Sequence, residues 1–111
     1  MAAHGGEARV QEQACGALWN LTSNSEAGKR AAIEAGGVAA VVRAMEAHGG
    51  EAGVQEQACG ALVNLMAGSE AGRRAVREAG GVAALERALR GFPTHAEICR
   101  LARKALGCFL R

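Results

Sequence analysis

The side chains able to do chemistry in this 111-residue sequence are few and scattered. Cys15, Cys59, Cys99 and Cys108 could bind a metal or form disulfides, but no two stand in the close pairs that a zinc site uses. The three histidines, His4, His48 and His95, fall near turns. His4 and His48 each close a helical stretch before Gly-Gly, where an imidazolium suits the negative end of the helix dipole. No HExxH pair, no phosphate-cradling glycine loop ending in Lys-Ser or Lys-Thr and no nucleophile triad is present. The sequence therefore offers no catalytic residue, no metal ligand set and no cofactor site, and the chain is expected not to be an enzyme. Two basic pairs, Lys29-Arg30 and Arg73-Arg74, could guide an acidic segment, although such pairs are usually just solvated.

The elements that carry these residues follow from composition. Half of the residues are apolar and 22% are charged, with 16 Gly, one Trp, two Phe and no Tyr. A core of Ala, Leu and Val is dense only where helix backbones approach closely, so a soluble all-α chain is expected and sheets are disfavoured. Thirteen basic and 11 acidic residues are dispersed without a run of one sign, for a net charge of +2. That balance argues against nucleic acid and anionic membrane as partners. No apolar run is long enough to span a bilayer, and no basic start leads into an apolar segment, so a cytoplasmic or nuclear setting with reduced, buried thiols is expected.

Self-similarity is the main signal. VQEQACGALWNL starts at Val10 and VQEQACGALVNL at Val54; residues 1–44 align with 45–88 without a gap and differ at 11 positions. In the last stretch, 89–111, few identities remain, yet Ile98, Ala102, Ala105, Leu106 and Phe109 keep the apolar register. One domain over 1–111 is expected, built of a unit at 1–44, a unit at 45–88 and a half-unit or cap at 89–111. Spacings of three and four among Val10, Ala14, Ala17, Leu18 and Leu21 predict a helix from about Glu7 to Leu21, with a counterpart at Glu51 to Met66. Ser25 and Ser69, each followed by Glu, predict N-caps for short second helices, the first running from about Glu26 to Ala35. Gly36-Gly37 and Gly80-Gly81 predict sharp breaks, and a third helix spans Val38 to Ala47 before His48-Gly49-Gly50.

Three helices per unit of this period, with a glycine break between the two short ones, resemble the armadillo repeat. The resemblance rests on SEAGKRAAIEAGGVAAVV from Ser25 to Val42, on SEAGRRAVREAGGVAAL from Ser69 to Leu85 and on the two long-helix segments. It implies a right-handed α-solenoid, an armadillo-like superhelix of about two and a half repeats and seven helices, acting as a protein-protein interaction module. In that family an Asn near the end of each third helix binds the main chain of an extended peptide on the concave face. The matching residues are Asn20 and Asn64, with Gln13 and Gln57 seven residues earlier on the same face. A carboxamide suits that task because it can accept from a peptide N–H and donate to a C=O. Peptide-binding members also place a Trp four residues before the Asn, and here Gly16 and Gly60 stand there instead. A competing use of the Asn residues is local, bonding nearby backbone at a helix end. Trp19 could likewise anchor a partner or pack between repeats; the second use is favoured because its equivalent is plain Val63.

The two ends of the chain differ. Ile33, Val42 and Cys59 become Arg77, Glu86 and Arg103 in the following unit, the pattern of a last repeat whose outer face meets water. At the other end, Val10, Ala14 and Leu18 lack the two short helices that would cover them, making them a candidate self-association surface and raising a homo-oligomer as one outcome. The alternative function is a structural or scaffold fragment, natural or engineered, that stacks with itself or with further repeats.

Overall fold

A computed structural model describes residues 2–110 of the chain, with side chains over 7–109. Seven α-helices follow in order among these residues, with no strand: α1 Ala2–Thr22, α2 Glu26–Glu34, α3 Gly37–Ala47, α4 Ala52–Met66, α5 Glu70–Glu78, α6 Gly81–Gly91 and α7 Ala96–Gly107, closed by a 3-10 turn at Cys108–Leu110. The long helices α1, α4 and α7 lie side by side, and the short pairs α2–α3 and α5–α6 pack against them as successive layers of an α-solenoid.

The helix limits have local causes. Ser25 Oγ accepts the Gly28 N–H at 2.8 Å and Ser69 Oγ accepts that of Gly72 at 2.9 Å, the cap geometry that the Ser-Glu pairs predict. Gly36 and Gly80 both sit at φ 83°, in the left-handed region that a β-carbon disfavours, and turn the chain sharply between the short helices. At the end of α3, the buried Gln55 side chain of α4 donates to the carbonyls of Met45 and His48, each at 3.0 Å, and so holds that turn in place.

Two expectations change. Gly5-Gly6 does not break the chain, because α1 runs through it from Ala2, and the His4 side chain lies outside the described residues. Glycine permits a break without requiring one, and the equivalent turn at Gly49-Gly50 is held by Gln55. Cys15, Cys59 and Cys99 are buried free thiols, as expected, but Cys108 falls on the terminal turn and is half-buried.

The core is one cluster running from Ala8 to Ala105 with Leu62, Leu65, Met66, Leu85 and Ile98 fully enclosed. Val42 and Cys59 are buried and Ile33 packs against this cluster, whereas Arg77, Glu86 and Arg103, which occupy the corresponding places one unit later, are exposed. Arg77 holds its guanidinium over the Phe109 ring, 5.3 Å from the centroid, and beside it Glu86 and Arg103 share an open cleft with Val82, Leu106 and Phe109, so that end mixes charged and apolar groups. Among the described residues no helix is long and apolar enough to cross a membrane.

Candidate functional site

The third helices α1 and α4 approach closely because each carries glycine where the other sends a side chain. A β-carbon at Gly60 would lie 2.5 Å from two carbons of the Trp19 indole, and one at Gly16 would lie 3.0 Å from Gln57 Oε1. A β-carbon at Gly53 would strike the Glu12 carboxylate. The two glycines that stand four residues before Asn are therefore filled places: Gln57 reaches across to Gly16, and the Trp19 ring lies over Gly60. Trp19 is half-buried against the core and belongs to the packing between repeats, with part of its ring still open.

The two asparagines have different surroundings. Asn64 is half-buried, and its Nδ2 donates to the Trp19 carbonyl at 3.0 Å and to Ser23 Oγ at 3.1 Å, which latches α4 to the end of α1. Trp19 O also accepts from Ser23 Oγ at 2.7 Å, so three groups converge on one helix end. Asn20 and Gln13 are exposed on α1 and make no side-chain hydrogen bond with other described residues. Gln13 and Asn20 are seven residues apart on one helix, as are Gln57 and Asn64 on its neighbour. Spacing by two helical turns places each pair on one face.

Other residues near this face were not legible as a group. Beyond Asn64, Met66, Gly68, Arg73, Lys104 and Cys108 line an open cleft of about 460 Å³ at the ends of α4 and α7. Arg73 there donates to Glu70 Oε1 at 2.6 Å, and this bond and charge hold the Glu70 carboxyl below the usual range. Lys29, expected to be solvated with Arg30, is buried: its Nζ donates to the Ala67 carbonyl at 2.7 Å and lies 3.5 Å from Glu26. It ties the first short helix of one unit to the end of α4. Arg30 stays exposed.

The buried thiols lie between the same helices. Burial pushes Cys15 up to about 11 and, with the added effect of charge on Cys15, pushes Cys59 up to about 12. Both are held as neutral thiols at ordinary pH, the opposite of what a nucleophile or metal ligand needs. Among the described residues no group of three or more His, Cys, Asp or Glu side chains is placed to hold a metal ion.

Of the residues expected to self-associate, Val10 and Ala14 are exposed but Leu18 is not. Leu18 falls in the inward stripe with Cys15 and Thr22, at spacings of three and four, and packs on the core. Leu21, 58% exposed, joins Val10, 60% exposed, on the open side.

Comparison with known families finds that residues 25–67 match the model of the Armadillo/beta-catenin-like repeat. The matched segment spans α2, α3 and α4. Searches of curated proteins and of solved structures find no match.

Proposed function

The chain belongs to the armadillo repeat family, carrying a repeat at 25–67, and from that premise we propose that it binds an extended peptide or partner segment along the concave face formed by its third helices. A protein-interaction or scaffold role is general to this family. What supports the finer reading here is the pair of exposed carboxamides on α1, Gln13 and Asn20, in line beside Gln57 and Asn64 on the adjacent helix. Asn20 has both of its hydrogen-bonding ends open to a peptide main chain. Asn64 has spent its donors on Trp19 and Ser23, and offers its Oδ1 as an acceptor for a peptide N–H. The open part of the Trp19 ring gives an apolar contact between the two, and Lys104 beside the cleft at the far end favours an acidic group on the ligand.

The partner is a protein or peptide in a cytoplasmic or nuclear setting; no cofactor, nucleic acid or membrane enters the reading. Its test is selection of binders from a library of unstructured ten-residue peptides, followed by titration of the best one against Asn20→Ala. Loss of a charge-neutral bond set costs about 1 to 3 kcal/mol, roughly 5- to 150-fold in affinity, while the unfolding midpoint stays unchanged because the Asn20 side chain makes no hydrogen bond among the described residues. A library that yields no binder, or a peptide that binds N20A as tightly as the parent chain, refutes the reading.

A further inference from the structure

Gln55 stands near the start of α4, nine residues before Asn64 and so about 14 Å from it along the helix. The residue is 2% exposed, yet only half of its carboxamide is satisfied within the fold. Nε2 donates to the carbonyls of Met45 and His48, and this fixes the orientation of the amide, since an oxygen in that place would face two acceptors. Oε1 accepts no hydrogen bond among the described residues. No side-chain nitrogen or oxygen sealed from solvent lacks a partner among those residues, so Oε1 is reached from outside. The opening is a groove of about 520 Å³ between the ends of α3 and α6, which Gln55 lines.

The walls of this groove carry an excess of positive charge. Arg87 and Arg90 both line it, and the one carboxylate among its lining residues is that of Glu46, 3.6 Å from Arg87 Nη2. Arg90 is exposed and makes no ion pair or side-chain hydrogen bond among the described residues. Ala84 and Ala88 lie along the groove, with Gly49 and Gly91 at its ends. A β-carbon at Gly91 would meet nothing within 4 Å, and one at Gly49 only the Met45 carbonyl at 3.9 Å, so a main chain can lie close at both places.

We propose that this groove binds an extended acidic segment of another protein, with a main-chain N–H donating to Gln55 Oε1 and Asp or Glu side chains paired with Arg90 and Arg87. Each feature asks for a part of that ligand. An enclosed amide oxygen wants a donor and reads no side chain, while two guanidiniums facing one carboxylate want a further anion. The small residues leave width for a main chain. No aromatic residue lines the groove, so a nucleobase has nothing to stack on, which disfavours a single-stranded nucleic acid of the same charge. The surface is separate from the concave face, since none of Gln13, Asn20, Gln57 and Asn64 lines it.

The test titrates the nitrogen-15-labelled chain with a ten-residue peptide of alternating Asp and Gly, blocked at both ends, and with its Asn-for-Asp counterpart. The side-chain amide of Gln55, held by two carbonyls, is the reporter. Its signal and the backbone signals of Gly49 and Gly91 are expected to move with the Asp peptide and to saturate. The Asn peptide should bind at least about fivefold more weakly, and so should the Asp peptide to the chain carrying Arg87→Gln with Arg90→Gln, as two exposed ion pairs allow. Glu46→Gln, which removes the competing carboxylate, should tighten binding. A Gln55 amide that stays in place at millimolar peptide, equal affinity for the two peptides, or undiminished affinity of the double variant overturns the proposal. An oligothymidine that moves the Gln55 amide where the Asp peptide does not overturns it too, and assigns the groove to nucleic acid. Peptide bound on the concave face alone would move the side-chain amides of Asn20 and Asn64 and leave Gln55 unmoved, so failure here is distinguishable from failure there.

Discussion

Gly16→Ala and Gly60→Ala make the same change at twin positions, and the structure predicts opposite signs. Alanine is favoured over glycine in a helix interior by about 1 kcal/mol, a gain common to both. At Gly16 the new methyl meets Gln57 Oε1 at 3.0 Å, the free end of a flexible side chain that swings away at little cost. At Gly60 it meets Cδ2 and Cε2 of Trp19 at 2.5 Å and Cε3 at 2.6 Å. Carbon atoms in contact want about 3.5 to 4 Å, so the ring must retreat by about 1 Å. The backbone behind it resists, because Trp19 O is held by Asn64 and Ser23. Overpacking of this kind costs about 1 to 3 kcal/mol. The net expectation is a gain of about 0.5 to 1 kcal/mol for G16A and a loss of up to about 2 kcal/mol for G60A. Urea unfolding followed by far-ultraviolet circular dichroism reads both, and Trp19, the sole tryptophan, reports displacement of its own ring by a shift in emission in G60A alone. With Trp19→Val in the background the clash is gone, and G60A should stabilise by up to about 1 kcal/mol. If G60A is as stable as G16A and the emission is unmoved, the account of how α1 and α4 approach is wrong.

Two further outcomes concern other contacts made around α4. Lys29→Met keeps the apolar stem but leaves the Ala67 carbonyl without its 2.7 Å partner, and should cost about 1.5 to 3 kcal/mol in urea unfolding, whereas Arg30→Met on the exposed side should cost less than about 0.5 kcal/mol. The thiols of Cys15 and Cys59 rise from an ordinary 9.0 to about 11 and about 12, so above pH 9.0 the unfolded chain loses protons that the folded chain keeps. Their contribution to stability is therefore complete below pH 9.0 and is lost as pH climbs through 11 to 12, which unfolding midpoints of the wild type against Cys15→Ala and Cys59→Ala across that range would record.

What was legible in the sequence was mostly local. The Ser caps and the left-handed Gly36 and Gly80 depend on neighbours within a few residues, and the structure has them where the pattern put them. The groups that act between helices were harder to read. Lys29-Arg30 looks like any solvated pair until the end of the next long helix arrives beside one of its members. The apolar stripe on α1 was too wide to divide from period alone, so Leu18, expected on the open side, turns inward while Leu21 lies open. A usable signal for the close approach did exist: glycine inside a long helix costs stability, and Gly16, Gly53 and Gly60 all stand inside α1 or α4 facing a side chain of the other.

The different duties of Asn20 and Asn64 bear on the proposed peptide face. Asn64 turns its donors to Trp19 O because a long helix ends beside it on the upstream side. Asn20, its twin, has no such helix upstream among the described residues and is exposed. A complete upstream unit would bring that helix, and its terminal carbonyl would compete for the Asn20 amide as Trp19 O competes for Asn64. A chain carrying a copy of residues 7–50 directly ahead of Glu7 should therefore lose the part of its affinity for a selected peptide that depends on Asn20, and unchanged affinity would refute this account.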